Sequence, residues 1–143
     1  HLFKNGVKPM WEDPVNAAGG RWIITLRDRG RTAGSRLVHE ALLDRSWMWL
    51  VLALIGETLD DNDLVTGAVC SLRGKGDRIA IWTRRKEPID ELNAMGEKLL
   101  DVLNLQHEPS VQMEFSFNFG SKDKPHLYTK KSMAGLASTA PSA

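Results

Sequence analysis

Val111, Met113, Phe115, Phe117 and Phe119 alternate with Gln112, Glu114, Ser116 and Asn118. A repeat of two puts one apolar and one polar face along an extended strand, so this segment requires a sheet with one dry side. The same pattern marks Trp22, Ile24 and Leu26 within 21–27. Two more strands read over 67–72 and 78–83, joined by the tight turn Arg73-Gly74-Lys75-Gly76-Asp77 as a hairpin. Leu2-Phe3 is a short strand-like start ended by the turn-prone Asn5-Gly6. Helices read over 37–59, with Asp44 or Ser46 able to cap a second segment, and from Pro88 or Ile89 to Leu103. Ile89, Leu92, Leu99 and Leu103 form the inner face of the later helix. Residues 28–35 are Gly/Arg-rich and read as a loop, and 16–20 are a polar, Gly-rich stretch. The order ββαββαβ with hairpin links predicts an α+β fold: a mostly antiparallel sheet with helices on one face.

A chain of 143 residues suits a single domain with one core. A net charge of +1 gives no global pull towards nucleic acid, so an anion site must be a local cluster. The lone Cys70 excludes an internal disulfide and a Cys-based zinc site, and fits a reducing compartment. The longest apolar run, 47–55, is too short to span a bilayer. The chain opens on His1-Leu2-Phe3-Lys4 without an initiator Met, so targeting is not read from it. Catalytic signals are poor. His1, His39, His107 and His126 lack metal-ligand spacing, and there is no nucleophile elbow, P-loop or dinucleotide fingerprint, so no enzyme, metal or cofactor is expected.

Three features carry chemistry. In Pro9-Met10-Trp11-Glu12-Asp13-Pro14 an indole stands beside a carboxylate in a turn. The indole face attracts a flat cationic ring, and the carboxylate can accept from an N–H and NH₂ edge such as guanine's. Taken alone, the pair also fits ordinary packing beside a solvated glutamate. At 73–78, Arg73, Lys75 and Arg78 gather on a glycine-rich turn, which makes either a phosphate site or a solvated charged turn. Arg84, Arg85 and Lys86 read as a solvated basic face. In the third feature, Trp47, Leu50, Val51 and Leu54 form one helical stripe and Met48, Leu52 and Ile55 a second. A surface helix needs only one, so the helix is either buried all round or receives a partner. Of the five tryptophans, three are expected in the core.

Together these segments resemble the eukaryotic translation initiation factor 4E family of messenger-RNA cap-binding proteins. The matching strings are Lys8-Pro9-Met10-Trp11-Glu12-Asp13, Gly19-Gly20-Arg21-Trp22, Leu54-Ile55-Gly56-Glu57, Gly67-Ala68-Val69, and Arg73-Gly74-Lys75-Gly76-Asp77 with Ile79-Ala80-Ile81-Trp82. The resemblance is firm to about Leu105 and thins out beyond it. It implies a curved, mostly antiparallel sheet with helices on its convex face, over a domain at 1–136 followed by a disordered tail at 137–143. By position, Trp11 would stack on 7-methylguanine and Glu12 would accept from its N1–H and 2-amino group. Trp82 would contact the methyl group. Arg73, Lys75 and Arg78 would hold the triphosphate, with Arg21 lending charge nearby. Lys122 and Lys124 fall where the family has a mobile loop. Trp47, Met48, Leu52 and Gly56 match the dorsal surface that takes the Tyr-x-x-x-x-Leu-hydrophobic motif of scaffold factor 4G or repressors, and Trp49 would enlarge it.

The resemblance also implies no cofactor or membrane, and a place in the cytoplasm and also the nucleus. The family's second stacking aromatic, first strands and first helix align upstream of His1, so the chain is expected to be incomplete at its N-terminus and to aggregate or fold weakly when made alone. The stretch 28–46 is longer than in typical members. Two classes stay open: the ordinary factor, to which Ile79-Ala80-Ile81-Trp82-Thr83 leans, and the repressive 4E homologous protein, to which 1–10 and Val102-Leu103-Asn104-Leu105 lean. Also open are a protein-interaction module with little cap binding, and general single-stranded RNA binding without a methyl preference.

Overall fold

The computed structural model describes residues 1–27, 30–59 and 63–118. Phe119, Lys122, Lys124 and the tail at 137–143 lie outside the described residues. The elements run β1 (Leu2–Phe3), α1 (Pro14–Ala17), β2 (Gly20–Leu26), α2 (Ala33–Ile55), β3 (Val65–Ser71), β4 (Asp77–Thr83), α3 (Ile89–Val102) and β5 (Val111–Phe117). The strands form one sheet in the order β1-β3-β4-β2-β5, every neighbouring pair antiparallel. With the two long helices packed against it, this is the α+β architecture expected from the alternation.

Register divides the sheet into two faces. Trp22 stands opposite Ile81 on one side and Phe115 on the other, and Ile24 opposite Ile79 and Met113. These six are buried, as the period of two requires. Their neighbours Arg21, Ile23 and Thr25 share the opposite, open face with Trp82, Ala80 and Arg78. The dry face is covered by α2 and α3, whose Leu43, Leu50, Leu92 and Leu99 belong to the same core. Trp22 sets how closely α3 approaches. Its indole N–H donates to Leu92 O at 3.1 Å, and a Cβ added at Gly96 would lie 2.7 Å from its ring.

Several boundaries depart from the sequence reading. α2 starts at Ala33, inside the stretch read as a loop. Thr32 and Ser35 cap it reciprocally: Thr32 Oγ1 accepts from Ser35 N, and Ser35 Oγ accepts from Thr32 N, both at 3.1 Å. The helix runs unbroken through Asp44 and Ser46, because the Ser46 hydroxyl donates back to Leu42 O at 2.7 Å instead of capping a new segment. It ends at Ile55, so Leu59 is buried as part of the following turn. Ile89, expected on the inner face of α3, is 43% exposed because it opens the helix; Met95 and Gly96 fill the face instead. β3 stops at Ser71, leaving Leu72 exposed. The sequence reading has no helix at 14–17, where Asp13 caps a single turn with Pro14 at its first position.

Candidate functional site

The turn that carries Trp11 and Glu12 is fixed from both ends. Asp13 Oδ2 accepts from Lys8 N and Oδ1 from Val15 N, each at 2.9 Å. These two backbone donors, Lys8 first, hold the Asp13 carboxyl below its ordinary range; the Lys8 charge adds to the effect and burial opposes it. Asn16 closes the turn from below. Its side-chain NH₂ donates to Lys8 O at 2.9 Å and to Met10 O at 3.0 Å, and its Oδ1 accepts from the Thr66 hydroxyl at 2.7 Å. Its carbonyl accepts from the Asn118 side chain at 3.0 Å, tying the turn to the end of β5. Asn16 is fully buried, whereas Trp11 is 45% exposed and Glu12 lies at the surface. A buried amide so fully bonded gives a rigid base to an otherwise irregular loop. Sequence reasoning missed it, since nothing in the sequence separates a satisfied buried amide from a solvated one.

On the open sheet face, the Arg21 guanidinium lies 5.1 Å from the centroid of the Trp82 ring, and Phe3 meets that ring edge-on at 5.7 Å. Trp82 is therefore only 6% exposed, and its indole N–H is buried without a hydrogen-bond acceptor; Arg21 Nε is buried in the same state. Burial, then the charges of Arg78 and Arg73, push the Arg21 guanidinium below its ordinary pKa. Guanidiniums stay protonated near neutrality even so. Three cations thus act on one another across this face, and an anion placed among them would relieve their repulsion.

Arg73, Lys75 and Arg78 are exposed on or beside the β3–β4 hairpin. Gly76, at a φ of +135°, supplies the reversal, and its N–H donates to Arg73 O at 3.2 Å. Asp77 Oδ1 accepts from Arg73 N at 3.0 Å, while its Oδ2 accepts from His39 Nε2 at 2.9 Å. The structure thus brings Arg21, Arg73, Arg78 and Trp82 together, with Lys75 on the hairpin tip. Trp11 and Glu12 come from the separate turn, which Thr66 fastens to β3. The neighbouring basic run is engaged elsewhere: Arg84 pairs with Asp63 at 3.3 Å, Arg85 with Glu91 at 3.2 Å, and Lys86 lies 5.3 Å from the Phe117 ring centre. The run is thus held by partners on the protein, not simply solvated as the sequence reading expects.

On α2, Leu50 is buried, Trp47 and Leu54 are half-buried against the core, and Val51 is half-buried. Met48, Leu52 and Ile55 are 54%, 60% and 68% exposed, so the helix is not buried all round and its second stripe faces outward. Gly56 is exposed as the helix C-cap. Of the tryptophans, Trp22 and Trp82 are buried and Trp47 half-buried. Trp49 is half-buried too, with the Arg45 guanidinium 4.9 Å from its ring centre. A cleft of about 460 Å³, lined by Leu2, Phe3, Leu54, Leu59 and Val65 among others, lies between the sheet edge and the end of α2. Among the described residues no group of His, Cys, Asp or Glu could hold a metal ion, and no helix is long and apolar enough to cross a membrane.

Comparison with known proteins gives one consistent answer. The family model for Eukaryotic initiation factor 4E matches residues 1–133. Eukaryotic translation initiation factor 4E from Bos taurus is 46% identical over 130 residues, 90% of this chain and 55% of that protein. Factor 4E-1A from Danio rerio is 48% identical over 130 residues, 90% of this chain and 56% of that one. Among solved structures, Ascaris suum eIF4E-3 in complex with the m7G cap superposes with a TM-score of 0.70 at 35% identity, over 87% of this chain and 64% of that one. C. elegans eIF4E-3, in complex with the 4E-binding protein Mextli, does so with a TM-score of 0.68 at 33% identity, over 80% and 61%. The chain spans about half the length of the curated relatives it matches.

Proposed function

The chain belongs to the eukaryotic initiation factor 4E family, and we propose that it binds the 7-methylguanosine cap of messenger RNA. The observation that carries this reading is the cluster of Arg73 and Arg78 with Arg21, which itself lies over Trp82 on the open sheet face, with the anchored Trp11–Glu12 turn beside the same sheet. Trp11 stacks on the base, which methylation at N7 makes cationic. Glu12 accepts from N1–H and the 2-amino group, and attracts the charged ring more than a neutral guanine. Trp82, nearly covered by Arg21 and Phe3, offers the methyl group an edge contact rather than a stacking surface. Arg73, Lys75 and Arg78 hold the triphosphate, and Arg21 adds its charge from beneath. The relative from Ascaris suum bound to the m7G cap supports this assignment.

The outward stripe of α2 is the second working surface. Met48 and Leu52, with Gly56 and the half-buried Trp47, take an amphipathic helix carrying a Tyr-x-x-x-x-Leu-hydrophobic motif, in scaffold factor 4G or in a repressor. The relative bound to a 4E-binding protein supports this. The protein acts by binding rather than by catalysis, in the cytoplasm and also the nucleus, through one domain over 1–136.

Tryptophan fluorescence tests the reading. This chain, and a version extended upstream to the relatives' length, are titrated with 7-methyl-GTP, 7-methyl-GMP and GTP. The expected result is methyl-dependent quenching that Glu12→Ala abolishes, with Arg73→Ala weakening the triphosphate ligand more than the monophosphate. No methyl preference in either protein would overturn the assignment.

A further inference from the structure

We infer that His39 is a positioning residue for the basic hairpin: from α2 its imidazole holds Asp77, and Asp77 holds the backbone of Arg73. The inference deepens the cap-binding reading and, for its ligand readout, rests on it. His39 and Asp77 are 38 residues apart, their Nε2 and Oδ2 atoms are 2.9 Å apart, and both side chains are 5% exposed. Because the carboxylate accepts, Nε2 carries the hydrogen. The second oxygen of the same carboxylate takes the Arg73 N–H at 3.0 Å, so one buried group joins a helix to the turn that bears the phosphate-binding cations.

The turn needs such a hold. Residues 73–77 include two glycines, and Gly74 has open space where a side chain would stand. Such a backbone loses much conformational freedom when ordered. Arg73 and Arg78 also act on Arg21 as like charges, which favours a hairpin splayed away from the sheet face. Asp77 counters both effects, because it is the carboxylate bonded to the turn's backbone. Its position in turn depends on what α2 supplies. His39 is the first buried residue of that helix, and residues 33–38 before it are all exposed. The first turns of α2 therefore reach the sheet at His39, opposite the base of the hairpin. In this reading α2 braces the triphosphate site from behind.

The test compares wild type, His39→Leu and His39→Gln, the glutamine keeping an N–H at similar reach. Two quantities are read: amide hydrogen exchange at Arg73 relative to Ile24 in the core strand, and the affinity advantage of 7-methyl-GTP over 7-methyl-GMP. Loss of a hydrogen bond to a carboxylate predicts about tenfold faster exchange at Arg73 in H39L, with Ile24 unchanged. The triphosphate advantage falls by roughly three- to tenfold, methyl preference stays, and H39Q restores both. If H39L unfolds the whole sheet, seen as equal acceleration at Ile24, His39→Asn replaces it. Its shorter amide cannot reach Asp77, so it must loosen Arg73 where H39Q does not. An unchanged Arg73 amide, or equal losses in the disrupting and glutamine variants, overturns the inference. A wild type without any triphosphate advantage defeats the functional reading instead, and the Arg73 amide alone then decides the role of His39.

Discussion

The Thr66 hydroxyl donates to Asn16 Oδ1 at 2.7 Å, joining β3 to the single helical turn behind the exposed Trp11. Both residues are fully buried, and the Asn16 amide also holds the carbonyls of Lys8 and Met10. Asn16→Ala leaves the buried Thr66 hydroxyl without its acceptor and takes a side-chain donor from the Lys8 and Met10 carbonyls, and is expected to cost roughly 1–3 kcal/mol in urea unfolding. Thr66→Val strands one oxygen and should cost about 1–2 kcal/mol. An Asn16→Ala chain within about 0.5 kcal/mol of wild type, the range of an ordinary surface change, would show that the network does not hold the turn.

The sheet was legible in the sequence because its two faces meet different solvents. The alternation at 111–117 and 22–26 encodes which side chains enter the core, and the structure places them there. The outward stripe of α2 was legible for the same reason: Met48, Leu52 and Ile55 could not share one buried face with Leu50. The Arg73–Asp77 turn was legible because glycine marks a reversal. The partnerships of single polar side chains were not legible. Asn16, His39, Asp77 and Ser35 occur singly, without period, and their bonds join residues up to 102 apart or lie at a helix start. The start of α2 was misplaced because Gly34 and the arginines around it read as a loop, while the Thr32–Ser35 cap outweighs that local preference. Trp82 could be placed on a strand, but not covered by Arg21, since cross-strand neighbours follow from register rather than from spacing.

Gly96 is required by Trp22. An added Cβ would fall 2.7 Å from an indole that is fully buried and bonded to Leu92 O, so the ring cannot swing aside cheaply. Alanine's better helix propensity is worth about 1 kcal/mol and does not offset the overlap. Gly96→Ala is expected to destabilise by roughly 1–3 kcal/mol in urea melts, with a shift in near-ultraviolet tryptophan ellipticity. An increase in stability would mean that α3 can move off the sheet at little cost.

Leu50 and Leu52 are two positions apart on α2, yet one is fully buried and the other 60% exposed. Leu50→Ala should cost about 2–5 kcal/mol by opening a cavity in the core. Leu52→Ala should stay within about 0.5 kcal/mol of wild type while weakening capture of a Tyr-x-x-x-x-Leu-hydrophobic peptide. Calorimetry on the two variants separates the faces. Equal stability losses would place Leu52 in the core and remove the outward stripe as a docking surface.

Asp13 gives the Trp11–Glu12 turn an acid limit. The N–H groups of Lys8 and Val15 bind its ionised form, so its folded pKa lies below the value in the unfolded chain. A depressed carboxylate contributes stability that is fully present above its unfolded pKa and is lost as pH falls through its folded one. At any pH where an unperturbed aspartate is partly protonated, Asp13 should be the more ionised of the two and the turn the more closed. As pH falls through its folded pKa, protonation weakens its hold on the two backbone donors. Asp63 is also lowered, through its hydrogen bond to Lys4, then by the charges of Lys4 and Arg84, so one acid step alone does not identify Asp13. Asp13→Asn separates them. The asparagine cannot accept from both backbone donors as the carboxylate does, so the change in Trp11 emission below the carboxylate range should vanish from that variant, while the Asp63 step persists. A carboxyl resonance for Asp13 titrating at or above the ordinary value would show that neither backbone bond persists in solution, and Trp11 would then lack the fixed turn on which its proposed stacking role depends.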